Sequence, residues 1–99
     1  MIIIEFTPTS LSVTGHARAA PYGQDIVCAG ISTLVQTLAV SAEALATDDL
    51  NVSLEPGEAF ISWAREPTKE LSLLIDSFAL GCSLMADSYP DYIQITCTR

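Results

Sequence analysis

Residues 25–47 read DIVCAGISTLVQTLAVSAEALAT, and their apolar side chains recur at steps of three and four residues. This spacing predicts one long α-helix. The apolar stripe consists of Val27, Ile31, Leu34, Leu38, Ala42 and Leu45. Between Asp25 and Glu43 the other faces carry no charged side chain. Because a helix without a charged face is usually covered on more than one side, we expect this helix to pack against several partners.

Strand patterns lie on both sides of this helix. On the N-terminal side, the β-branched residues 2–6 and the alternating residues 11–16 predict a hairpin, with His16 at the end of its second strand on the polar face. On the C-terminal side, residues 50–54 and 59–64 predict two more strands joined by a turn.

A second helix follows the second strand pair. Pro67 suits its first turn, and an apolar stripe that includes Cys82 continues to the end of the helix near Pro90. Residues 92–97 alternate and predict a last strand, with Cys97 on its inward face. The order ββαββαβ indicates an α+β fold in which two helices cover a mainly antiparallel sheet. The 99 residues suit a single domain.

Composition limits the classes of partner. Twelve acidic and four basic side chains give a net charge of −8, which argues against direct nucleic-acid binding because phosphates are bound by Lys and Arg. The charge suits a basic partner. Hydrophobic residues make up 49% of the chain, too many for a disordered protein. The mean hydropathy of +0.39 is high for a monomer, so we expect a homodimer that buries part of the first helix.

Three cysteines, Cys28, Cys82 and Cys97, form an odd set without Cys-x-x-Cys spacing. Disulfide scaffolds and zinc sites use paired cysteines, so we expect reduced thiols, no metal and a cytoplasmic protein. The N-terminal residues lack the basic region of a signal peptide, and no uncharged run looks long and apolar enough to span a membrane. No glycine-rich nucleotide motif is present, so no cofactor is expected.

Cys28 and His16 are candidates for acyl-transfer chemistry. Cys28 falls in the first turn of the first helix, where backbone N–H groups stabilise a thiolate and can hold an oxyanion. His16 is the only histidine, and its imidazole would take the thiol proton and return it to the leaving amine. Asp25 either caps the helix or orients His16, and its negative charge would disfavour a thiolate nearby.

Packing offers another explanation for the same residues. A lone cysteine among apolar neighbours is more often inert core, and a lone histidine on a strand is more often a surface residue. Spacing alone therefore leaves catalysis and packing both open. Ser32 lies one helical turn after Cys28 and either supports the site or faces the first strand pair. Cys82 and Cys97 are expected in the core.

The sequence around the candidate pair closely resembles the ribosomal-processing cysteine protease family, small bacterial proteins also described as YsxB-like. The motif is specific because both chemical residues come with neighbouring glycines and with the string DIVCA. The matching positions are Gly15-His16-Ala17, residues 22–29 (YGQDIVCA) and, more weakly, Ser32, Leu34, Gly81 and Tyr89-Pro90.

This resemblance implies a single cysteine-protease-like domain over residues 1–99, in a homodimer. It implies Cys28 as the nucleophile and His16 as its general base. The implied activity is that of a cysteine endopeptidase that removes the N-terminal extension of a large-subunit ribosomal protein precursor, the one numbered twenty-seven. Ribosomal proteins are basic, so the precursor peptide is the basic partner that the net charge suits.

The loop 17–24 connects the two candidate residues, and we expect the peptide to lie extended beside it, with Gly15 and Gly23 as hinges. The rival hypothesis is a non-catalytic, ribosome-associated binding module in which Cys28 is structural. It predicts that Cys28→Ala leaves function unchanged. A redox-sensing thiol is a third option, which the absence of a nearby resolving cysteine disfavours.

Overall fold

The computed structural model describes residues 1–17, 25–64 and 66–98. Its elements follow the predicted order ββαββαβ, so the α+β class is confirmed. The elements are β1 (Ile2–Phe6), β2 (Ser10–Thr14), α1 (Ile26–Leu45), β3 (Leu50–Glu55), β4 (Glu58–Trp63), α2 (Lys69–Ser88) and β5 (Ile93–Cys97).

The five strands form one sheet in the order β3-β4-β2-β1-β5. β1 and β2 form the predicted antiparallel hairpin, and β4 joins β2 and β3, again antiparallel. The exception is β5, which runs parallel to β1. The sheet is therefore mainly antiparallel, as the pattern predicts, with β2 at its centre and β3 and β5 at its edges.

Both helices contribute apolar side chains to one core against the sheet. In α1 the buried side chains are Val27, Ile31, Val35, Leu38, Ala39 and Ala42. The buried stripe ends at Ala42 and does not include Leu45 as predicted, because Leu45 at the last position of α1 is 66% exposed. In α2 the buried side chains are Leu71, Ile75, Phe78 and Cys82. The Phe78 ring lies 5.9 Å from that of Phe6, which joins α2 to the interior strand β1.

Each helix is 20 residues long and apolar enough to meet the length and composition criteria of a membrane span. The two helices contact each other closely, and α2 also contacts β5 while α1 contacts β3. Core helices of a helix-on-sheet domain meet the same two criteria because one of their faces is buried.

The prediction for Cys97 was wrong. Cys97 is exposed, whereas Cys82 is fully buried as expected. Cys97 is the last residue of an edge strand, and its sheet partner is Phe6 on one side, so the other side stays open. Burial raises the pKa of the Cys82 thiol to about 12, which keeps this group protonated and unreactive at neutral pH.

The start of α2 is fixed by a cap that reaches across the chain. Thr68 is the N-cap, and its hydroxyl accepts a hydrogen bond from the Leu71 N–H (3.2 Å). That hydroxyl and the Thr68 N–H both donate to the carboxylate of Asp48, the latter at 2.9 Å. Pro67 therefore lies just before the cap and not in the first turn. The two hydrogen bonds from Thr68 lower the pKa of Asp48 below 3.8.

We expect Asp48→Asn to reduce the acid sensitivity of the fold. A lowered pKa in the folded state contributes stability above the unfolded value of 3.8, and this contribution is lost as the pH falls through the folded value. Thermal unfolding followed by circular dichroism from neutral to strongly acidic pH measures the effect. Asp49→Asn, at the exposed neighbour, is the control. Equal acid sensitivity of the Asp48→Asn variant and the wild type would contradict this prediction.

Candidate active site

The first turn of α1 is built by Asp25, which is its N-cap. One carboxylate oxygen, Oδ1, accepts hydrogen bonds from the N–H groups of Val27 and Cys28, both at 3.0 Å. The Asp25 carbonyl accepts from the Ala29 N–H at 3.0 Å. A cap of this kind stabilises a helix by about 1 kcal/mol, and it seats Cys28 in the first turn. The geometry of Asp25 is that of a helix cap.

This cap has a consequence for anion binding. We expected N–H groups of the first turn to bind an oxyanion, but those of Val27 and Cys28 already donate to the Asp25 carboxylate. An N–H bound to Asp25 contributes less to a second anion, and the carboxylate charge repels that anion. The described first turn therefore does not present these two donors to a substrate.

The Cys28 side chain is half-buried, so a substrate can reach it. Its Sγ accepts a hydrogen bond from the backbone N–H of Ala17 at 3.2 Å. Ala17 itself is only 4% exposed. The chain directly after His16 is thus in contact with Sγ of the candidate cysteine.

His16 lies outside the strand that was predicted to end with it. β2 ends at Thr14 because Gly15 has a φ of +88°, which turns the chain away from the sheet. The His16 carbonyl accepts a hydrogen bond from the α-ammonium group of Met1 at 2.7 Å, and its side chain is exposed. The backbone of His16 is thus tied to the sheet while its imidazole stays accessible.

The imidazole rests on the turn between β3 and β4. Gly57 in this turn has a φ of +74°, and a Cβ added there would lie 2.6 Å from Nε2 of His16. The Gly57 carbonyl accepts a hydrogen bond from the Gly15 N–H at 3.0 Å, which holds the two loops together. Glycine is required at position 57 both by the backbone conformation and by the imidazole.

His16 and Cys28 line the same cavity, which has a volume of about 240 Å³. Its other lining residues are Ile2, Val13, Gly15, Ile31, Ser32, Val35, Glu55, Pro56, Gly57, Glu58 and Ala59. Most of the apolar side chains belong to the core, and the two glutamates flank the β3–β4 turn. Within the described ranges, no hydrogen bond joins the imidazole to Sγ. The structure therefore brings the candidate pair together around one apolar cavity with acidic side chains in its wall.

Sequence reasoning missed the part played by the β3–β4 turn. The segment 55–58 has clear turn residues, but nothing local indicates that it lies beside His16. The signal is long-range: pairing of Thr14 with Glu58 in the sheet places the turn next to the end of β2. Ser32 also lines the cavity, together with Ile2 and Val13 of the first strand pair, so its support of the site stays a prediction.

Two predicted features concern the loop between the candidate residues. Gly23 and most of the loop 17–24 lie outside the described residues. The role of Gly15 as a hinge stays a prediction. In the described portion of the chain, no group of three or more His, Cys, Asp or Glu side chains is arranged to hold a metal ion.

Comparison with known proteins gives one consistent family. A family model described as cysteine protease Prp matches residues 1–94. The ribosomal processing cysteine protease Prp of Bacillus subtilis (strain 168) is 27% identical over an alignment of 93 residues, and the match covers 88% of this chain and 83% of that protein.

Solved structures have the same fold. The S. aureus ribosomal processing protease Prp, in complex with a covalently linked product peptide, is 22% identical and superimposes with a TM-score of 0.93, covering 99% of this chain and 100% of that one. A Streptococcus mutans protein is 30% identical with a TM-score of 0.76, covering 99% of this chain and 94% of that one.

We expect Gly57→Ala to displace the imidazole of His16. The added Cβ would meet Nε2, and the positive φ would cost about 1–2 kcal/mol of the free energy of unfolding in addition. Because His16 is the only histidine, its imidazole resonances are unique in an NMR spectrum and should shift.

The control repeats the substitution in a His16→Ala background. There the backbone strain remains but the contact with the imidazole is absent, so the loss of stability in thermal unfolding should be smaller. Equal losses in the two backgrounds, together with unshifted imidazole resonances, would show that the ring does not rest on residue 57.

Proposed function

The chain belongs to the family of the cysteine protease Prp, and we propose that Cys28 is the nucleophile of this activity and His16 its general base. The observation that carries the proposal is the shared cavity: a half-buried sulfur and an exposed imidazole line one space of about 240 Å³. Cys82 is fully buried, and Cys97 is not among the residues that line the cavity. Cys28 is therefore the cysteine that a bound peptide would meet there.

In the proposed reaction, His16 takes the thiol proton of Cys28 and Sγ attacks the carbonyl carbon of the scissile peptide bond. The carbon–nitrogen bond then breaks, and the leaving amine takes the proton from the imidazolium. Water attacks the thioester, again with His16 as the base, and expulsion of the thiolate releases the new carboxyl end. A rotation of the exposed imidazole towards Sγ is needed for the first proton transfer, since the two groups share the cavity without a hydrogen bond.

We propose that the substrate is the N-terminal extension of the large-subunit ribosomal protein precursor numbered twenty-seven. Three observations support this. The Bacillus subtilis relative is a ribosomal processing protease, and the S. aureus one holds a product peptide. The net charge of −8 attracts a basic precursor. Glu55 and Glu58 line the cavity itself, so the attraction extends to the site.

We also propose a cytoplasmic location, which the free thiols of the described cysteines support.

We expect Cys28→Ser to abolish cleavage of the synthetic precursor and His16→Ala to slow it by about 10²–10⁴-fold, the usual contribution of a general base. Mass spectrometry of the product measures both rates. Cys97→Ser, which changes an exposed cysteine outside the cavity, is the matched control and should retain full activity. An intact precursor after incubation with the wild-type protein would refute the proposed substrate.

The non-catalytic alternative makes a different prediction for the same variants. If Cys28 were only packed, its thiol would react slowly with iodoacetamide, and His16→Ala would not change the rate. The proposed mechanism requires fast alkylation of Cys28 at neutral pH that slows in His16→Ala.

We also propose that the protein is a homodimer formed through the outer face of α1. On this face Ile26 and Val40 are each about two-thirds exposed, and charged side chains are absent before Glu43. Exposed apolar side chains on a charge-free face are typical of a buried interface.

We expect Val40→Glu to convert the dimer to a monomer, because the new carboxylate would lose its hydration in the interface. Sedimentation velocity measures the oligomeric state. Phe60→Glu, at an exposed apolar position on the opposite face of the sheet, is the control and should remain dimeric. A monomeric wild-type protein at micromolar concentration would contradict this interface.

A further inference from the structure

We propose that the backbone N–H of Ala17 is a catalytic hydrogen-bond donor, which stabilises the Cys28 thiolate and then the oxyanion of the tetrahedral intermediate. This inference rests on the proposed protease function and assigns one role within it. It concerns a backbone group, so no side-chain motif in the sequence indicates it.

The first argument is an inventory of the donors near the sulfur. A thiolate and an oxyanion each require N–H groups directed at them. In the first turn of α1, the N–H groups of Val27 and Cys28 donate to Oδ1 of Asp25, and that of Ala29 donates to the Asp25 carbonyl. Among the described residues, the Ala17 N–H is the backbone donor that the structure directs at Sγ, at 3.2 Å.

The second argument is the environment of this donor. Ala17 is 4% exposed, and Cys28 is half-buried, so little water competes for the hydrogen bond. In a low-dielectric site a hydrogen bond to an anion is stronger than the same bond in water. The donor is also held in place beforehand, since its neighbour His16 is tied by its carbonyl to the ammonium group of Met1. Preorganised donors need no rearrangement at the moment of reaction.

The third argument follows the charge through the reaction. As the bond from Sγ to the carbonyl carbon forms, the π pair of the C=O bond moves onto oxygen, and the sulfur loses its negative charge. Oxygen and sulfur are then bonded to the same carbon, so a donor beside the sulfur is also beside the oxyanion. The neutral sulfur is a weak acceptor, and the N–H of Ala17 transfers to the oxygen. An interaction that is stronger in the transition state than in the bound substrate raises kcat.

The remaining steps return each group to its starting state. Collapse of the oxyanion re-forms the C=O bond and breaks the bond to nitrogen, and the amine leaves with the proton from His16. Water then adds to the thioester carbonyl with loss of a proton to His16, which places a second oxyanion beside Ala17. Its collapse breaks the carbon–sulfur bond and releases the carboxylic acid and the thiolate, and the imidazolium of His16 returns its proton to Sγ.

The test replaces this single N–H by an oxygen atom. Cys28 is a natural ligation junction: a synthetic thioester peptide of residues 1–27, with lactic acid in place of Ala17, can be joined to a recombinant fragment of residues 28–99. The reference is the same semisynthetic protein with all its amides. We expect the ester to lower kcat for precursor cleavage about 10²–10³-fold while KM changes little, because the donor acts on the oxyanion. Alkylation of Cys28 by iodoacetamide at neutral pH should also slow.

A control separates this effect from a structural one. The ester also weakens the His16 carbonyl as the acceptor for the Met1 ammonium group, so a second reference carries des-amino Met1 and keeps the Ala17 N–H. The loss of activity caused by the ester is therefore measured relative to this des-amino reference. Cleavage and alkylation rates within about threefold of the reference would overturn the proposal, since a single oxyanion donor contributes far more.

The two readouts also distinguish failure of this inference from failure of the proposed function. If the all-amide protein does not cleave the precursor, the proposed function fails. Alkylation then decides the thiolate role alone: slower alkylation of the ester supports it, and an unchanged rate overturns it. If cleavage slows without a change in alkylation, the oxyanion role stands and the thiolate role is removed.

Discussion

Burial of one stripe of α1 determines which way Cys28 faces. Val27, Ile31 and Val35 follow one another at four-residue steps and are each at most 4% exposed, and burial of each such side chain contributes about 1.5–3 kcal/mol. Rotation of the helix about its axis would expose all of them, so its orientation is fixed. Successive residues are turned by about 100° around a helix, which places Cys28 at the border of the stripe. The half-burial of its sulfur, on which every proposed role depends, follows from the packing of its neighbours.

The same helix start explains why the site needs a second segment. Asp25 stabilises α1 as a cap and through its favourable interaction with the helix dipole, but in doing so it occupies the nearest N–H groups with a negative charge. The donor to Sγ comes instead from Ala17, which follows His16 in the chain. Imidazole and donor are thus adjacent residues on one segment, and the sulfur lies on another. In the proposed mechanism, different backbone groups therefore stabilise the helix and take part in the chemistry at the sulfur.

Local periodicity was sufficient for most of the fold. Alternating spacing predicted the five strands, and spacing of three and four residues predicted the two helices. Burial of one face of an element imposes these periods directly. The failures occurred where side-chain pattern does not report the environment. Cys97 alternates correctly but lies on an edge strand, and β2 ends early because of the backbone of Gly15. At the candidate site, the motif residues predicted Cys28 and His16, which line one cavity, whereas only strand pairing shows that Gly57 lies beside them.

The parallel pairing of β1 with β5 gives this small domain a high contact order. Nearly the whole described chain separates the two strands, yet β1 lies between β2 and β5 in the sheet. During synthesis on the ribosome, the edge of β1 that will receive β5 stays open until the last strand emerges. That edge carries three consecutive isoleucines, a sequence prone to pairing with other chains. The sheet is therefore completed only when β5 pairs with β1. A nascent chain that stalls before residue 93 exposes an unpaired, aggregation-prone edge of β1.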